Sequence, residues 1–153
     1  MMYQALTFYH SLLRWLVLLS LIYAVFRAYR GYTRNRVFSS TDNRVRHWTA
    51  TIAHMQLVLG ILLYTKSPVV HYFWKNRIEA VHSTDTLFFS ILHILLMLTA
   101  IVLVTVGSAL AKRRLEDRKK FRTMFNWFAF ALLIIFCAIP WPFSPLAARP
   151  YFR

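Results

Sequence analysis

Five side chains in this sequence combine chemical capability with an unexpected setting: His10, Arg14, His54, Gln56 and His93 each lie inside a long apolar stretch. Imidazole ligates metals and carries protons near neutral pH. Two neutral imidazoles at one depth on facing helices are what a b-type haem asks of a protein, together with an apolar slot. Arg14 follows His10 by four residues and so shares its helix face. His54 and Gln56 are two residues apart, so their side chains diverge. None of the five carboxylates (Asp42, Glu79, Asp85, Glu116, Asp117) falls within an apolar stretch. That excludes an intramembrane carboxylate relay, a carboxylate-bridged di-iron bundle and an aspartyl protease. A nucleophilic triad would lack the acid that orients its histidine. Neither HExxH nor CxxC spacing is present, so a zinc site has no support.

The elements that must position these groups are four apolar stretches, at about residues 5–26, 48–65, 87–111 and 123–139. About 20 apolar residues cross the ~30 Å hydrocarbon core as a helix. Four spans in 153 residues, 58% of them hydrophobic, predict a single all-α transmembrane domain: an integral membrane four-helix bundle.

The net charge of +14 would suggest nucleic acid in a soluble chain. Here the charge is concentrated between the spans, and nucleic acid is not expected as a partner. The connections at 27–46 and 112–122 hold thirteen Arg and Lys, against five in the 66–86 connection and the tail. The positive-inside rule then places both termini in the periplasm and the basic loops in the cytoplasm of a bacterial inner membrane. Those loops also suit anionic headgroups. The first span lacks the basic n-region of a secretory signal and is too long for its apolar core.

At ~1.5 Å per residue, His10 lies roughly 8 Å and His93 roughly 9 Å below the outer surface. His54 lies roughly 9 Å from the opposite surface. The expected ligand pair is therefore His10 with His93. Arg14, one turn deeper, could offset a propionate, hold a quinone oxygen or face another subunit. His54, with Gln56, could serve a quinone or a second haem. His82 and Asp85 are placed at the outer mouth, where they could meet propionates or quinol protons.

Several features have plainer readings. Tyr and Trp clusters at the span ends, including Trp48, Trp74 and Trp141, form an interfacial belt. His47 and His71 read as headgroup-level residues, and Asn126 as wet at the cytoplasmic end. The 66–86 connection is long enough to hold an amphipathic piece on the outer surface. In Ile139-Pro140-Trp141-Pro142-Phe143 the prolines end the fourth helix near Ile139, and the tail beyond residue 146 is expected to be extended. Cys137 is expected to be a small core residue. Gly60 and Gly107 are expected to admit close helix approach.

The segments Tyr9-His10-Ser11-Leu12-Leu13-Arg14-Trp15, the run from His54 through Gln56 and Gly60 to Tyr64, and His93-Ile94-Leu95-Leu96-Met97-Leu98 resemble small four-helix membrane proteins of Bacteroidetes-type bacteria labelled cytochrome B. Ala111-Lys112-Arg113 and Ile139-Pro140-Trp141-Pro142-Phe143 extend the resemblance, in the same order, over nearly the whole chain. It implies b-haem electron transfer. The architecture is also similar to the cytochrome b561 class, which uses histidine pairs for two haems; this chain has no histidine in its fourth span.

The expected function is that of a b-type cytochrome, or a cytochrome-like subunit, passing electrons between the quinone pool and a partner through haem b held by His10 and His93. The rival expectation is a haem-free accessory or structural subunit of a larger, respiratory membrane complex. A third reading is a quinone- or lipid-binding protein without haem.

Overall fold

In the computed structural model, residues 2–145 and 147–150 are described, and they are helical almost throughout. The long helices are α1 (Met2–Thr33), α2 (Ser40–Lys66), α6 (His93–Arg113) and α7 (Asp117–Ala138). Three short ones, α3 (Pro68–Lys75), α4 (Arg77–Ala80) and α5 (Thr84–Leu87), fill the connection between α2 and α6. No strand occurs among the described residues. α5 runs through a π-helical turn, Phe88–Leu92, directly into α6. The continuous element Thr84–Arg113 and the other three long helices are each long and apolar enough to cross a membrane. This is a multi-pass membrane protein.

Each span is longer than its apolar core, because the flanking polar residues continue the helix into the headgroup layer. Asp42 and Asp117, expected in loops, lie in the first turns of α2 and α7. The connection at 66–86, expected to hold one surface piece, is mostly helical. Ser67 caps α3 through its side chain, Pro68 occupies the first turn, and Val70 and Phe73 point inward. Trp74 donates to the Tyr64 hydroxyl (3.0 Å), which in turn donates to the Ser90 carbonyl (3.0 Å). That relay ties α3 and α2 to the π turn.

The four spans form a square in which α1 touches α2 and α7, while α6 touches α7 and α2. α1 and α6 are therefore diagonal. Lipid offers no hydrophobic drive for helix association, so close packing of small residues carries it. Ala24, Ala28 and Gly31 line the buried face of α1, and Ala100, Gly107 and Ala111 that of α6. A Cβ at Gly107 would collide with Trp127, and one at Gly31 with the Phe121 ring. Leu12, Leu16, Leu19 and Ile22 face outward, as expected where the surroundings are lipid. Cys137, expected in the core, is instead exposed on the outer face of α7. A free thiol behaves as a small hydrophobe and is compatible with hydrocarbon, so nothing drives it inward.

The bundle end that carries the basic loops is held by buried polar groups. Ser39 and Asp42 form a reciprocal capping box at the start of α2. Asp42, 2% exposed, also accepts both Nε (2.9 Å) and Nη2 (2.6 Å) of Arg27. Buried Arg46 donates to the Ser108 carbonyl (3.1 Å) and to Asn43 Oδ1 (2.9 Å). These links lock α1, α2 and α6 together at the opposite end from the histidine pair.

Candidate functional site

His10 enters from α1 and His93 from the start of α6, across the diagonal of the square. Two local features set the position of His93. The π turn before it inserts an extra residue into the helix, and the backbone N–H of His93 accordingly bonds back to Phe88. Beyond α7, the prolines then supply an acceptor. In an uninterrupted helix the Ala138 carbonyl would accept from residue 142 and the Phe136 carbonyl from residue 140. Both positions are proline and offer no N–H. The Phe136 carbonyl takes the Trp141 indole N–H at 2.8 Å, and the Ala138 carbonyl takes His93 Nδ1–H at 2.9 Å. With Nδ1 carrying the proton, His93 Nε2 presents a lone pair. Metal-ligating histidines adopt this arrangement, one ring N–H on a carbonyl and the other nitrogen on the metal.

His10 is held differently. The amide nitrogen of Gln56 lies 3.0 Å from the His10 carbonyl oxygen and 3.2 Å from His10 Nε2. The carbonyl contact requires an N–H, which orients the amide, so Gln56 donates to both atoms. The His10 proton then resides on Nδ1. His10 Nδ1 and Gln56 Oε1 are both buried with no hydrogen-bond partner among the described residues. Gly60 lies beneath the imidazole; a Cβ there would stand 3.4 Å from its Cε1.

The two rings approach edge-on, with centroids 6.5 Å apart and planes inclined by 65°. A metal–imidazole bond is about 2 Å, so two imidazoles on opposite sides of one metal have centroids about 6 Å apart. The observed centroid spacing is of that size, with His10 Nε2 at present engaged by Gln56. Two imidazoles are too few for a bare ion, and no group of three or more His, Cys, Asp or Glu is placed to hold one among the described residues. A metal here would have to bring its own in-plane ligands, as the iron of haem does.

A cavity of about 440 Å³ surrounds the pair. Its size falls within the ~300–1,000 Å³ of cofactor and ligand sites. The walls are apolar, with Leu57, Ile61, Met97 and Ile101 among them, and the polar exceptions include His10, Arg14, Gln56, Tyr64, His93 and Arg149. Arg14 thus faces protein and donates to Ser11 at 3.4 Å. The donor set, the unsatisfied atoms on His10 and Gln56, and the cavity together are compatible with haem.

The other expected residues separate from this site. His54 lies exposed on the outer face of the bundle, where its Nε2 meets Thr105 Oγ1 at 2.8 Å. It does not line the cavity, and Gln56 belongs with His10 rather than with His54. The divergence expected from their two-residue spacing is present. Asp85, placed at the mouth, pairs with Arg149 at 2.6 Å, and Arg149 also lies over Phe89 at 4.7 Å. The tail is thereby tied back to α5 and the π turn; Leu146 and residues 151–153, part of the expected extended tail, lie outside the described residues. His82 is exposed. Sequence reasoning missed Gln56 as the partner of His10, and Ala138 as the acceptor for His93. The prolines at 140 and 142 were the available signal for the second. Comparison with protein families, curated proteins and solved structures finds no match to this chain.

Proposed function

We propose that this protein is a b-type cytochrome of the bacterial inner membrane, with haem b held between His10 and His93 and both termini in the periplasm. The observation that carries the reading is the 6.5 Å separation of two imidazoles inside an apolar cavity, with the Nε2 of His93 uncommitted. When bound, haem supplies one-electron redox chemistry.

The chain supplies the rest. Ala138 keeps the proton of His93 on Nδ1 and fixes the ring plane. Leu57, Met97 and Ile101 exclude water and lower the local dielectric. Arg14 brings positive charge to the cavity wall, suited to a carboxylate such as a propionate, whereas Arg149 is already paired with Asp85. Electrons would pass between the quinone pool and a partner subunit. The exposed His54–Thr105 pair supports such a partner, because polar groups on a lipid-facing surface favour protein cover.

The test is the visible spectrum of the purified chain, air-oxidised and then dithionite-reduced. Sharp paired bands of a low-spin b haem are expected. A colourless preparation that also fails to take up added haemin would overturn the reading and leave a haem-free accessory subunit.

A further inference from the structure

The two histidines are held in opposite ways. His93 has a carbonyl acceptor on Nδ1 and a bare Nε2. His10 has a donor on Nε2 and nothing on Nδ1 among the described residues. From this asymmetry we infer that His10 is an exchangeable ligand whose attachment Gln56 controls, so that the site admits a small neutral diatomic molecule on the His10 side. The inference rests on the haem reading above.

For His10 Nε2 to coordinate a metal, it must give up the Gln56 N–H. That amide is half-buried at membrane depth, where an N–H left without an acceptor is costly. Gln56 keeps its second bond, to the His10 carbonyl, so it stays beside the ring and competes for it. The unpartnered Nδ1–H weakens His10 further, since an acceptor there raises imidazole basicity. His93 suffers neither handicap. Gly60 leaves space against the His10 ring, where a larger residue would wedge it in place. With His10 unattached, the Gln56 amide would keep the bond to His10 Nε2 that the structure shows. Gln56 is thus a positioning residue, acting through His10.

Carbon monoxide is the probe. The full chain is purified in detergent, loaded with haem and reduced, and CO is titrated by difference spectroscopy. Wild-type protein is expected to bind CO. Gln56→Leu removes the competitor for Nε2 and is expected to weaken CO binding about fivefold, the worth of one hydrogen bond. Gln56→Asn, which retains the amide, guards against a misfolded variant, and should lie between the two. His10→Ala should bind CO more tightly than wild type. In the haem-free protein, ¹⁵N chemical shifts should place the His10 proton on Nδ1, and Gln56→Leu should shift Nε2. A wild type that is six-coordinate and inert to CO, with Gln56→Leu unchanged, overturns this inference and leaves the haem reading standing. A wild type that takes up no haem overturns both.

Discussion

His93 Nδ1–H donates to the carbonyl oxygen of Ala138 at 2.9 Å, joining the start of α6 to the end of α7. The acceptor exists because α7 stops at Ala138, with Ile139 extended ahead of Pro140 and no backbone N–H at Pro142. A helix stop thereby becomes part of a ligand's orientation. The link runs from sequence, through a local backbone defect, to the chemistry of the ring 45 residues earlier.

Removing His93 should abolish haem binding, while removing His10 should retain haem in a high-spin form. The measurement is Soret absorbance per mole of chain for His93→Ala and His10→Ala. Equal retention in both variants would refute the assigned division of roles.

Replacing both Pro140 and Pro142 by Ala lets α7 continue past Ile139 and supplies a backbone N–H that can compete for the Ala138 carbonyl. Haem affinity is expected to fall about fivefold, since the competing bond is worth about 1 kcal/mol. Haemin titration reads the change. A companion Pro145→Ala, beyond the reach of that carbonyl, should bind as wild type.

Gly107→Ala should destabilise the fold, because the new methyl collides with the Cβ of Trp127 where α6 and α7 meet. Overpacking of this kind costs about 1–3 kcal/mol. The unfolding midpoint in detergent should drop, with haem-free protein affected as much as loaded protein. An unchanged midpoint would show that the α6–α7 contact is looser than described.

Asp42→Ala removes the carboxylate half of the α2 capping box, leaving Ser39 Oγ on the backbone N–H of residue 42, and strips Arg27 of its carboxylate. Loss of the hydrogen bonds Asp42 accepts from Ser39 costs about 1 kcal/mol. The double variant Arg27→Met with Asp42→Ala should recover part of the loss, because it removes the uncompensated guanidinium. Haem spectra should not move, since this cluster sits at the other end of the bundle.

Orientation can be read by thiol labelling. With Cys137 replaced by Ala, a cysteine at Leu115, which is 94% exposed in the α6–α7 turn, should resist a membrane-impermeant maleimide in intact cells. A cysteine at exposed Ser83 should react. The reverse pattern would invert the topology, placing the basic loops outside.

The four spans, their order and the candidate pair His10 and His93 were legible in the chain itself. Apolar run length reports on bilayer thickness, and histidine depth follows from rise per residue, so both are local quantities. The distribution of carboxylates was equally plain, and it removed several chemistries before any fold was known. What needed the tertiary structure was every relation between helices. Spacing told that His54 and Gln56 diverge, but only the packing of α2 against α1 sends Gln56 to His10 and leaves His54 with Thr105 at the surface. The α2–α6 faces expose polar groups that hydropathy counts identically whether they point inward or outward. Cys137 is misplaced by sequence for the same reason: in lipid, inside and outside are both apolar, so burial cannot be inferred from residue type. The prolines signal that a carbonyl near the end of α7 is left over, but that His93 is the group that takes it depends on the packing of α6 against α7, 45 residues apart in the chain.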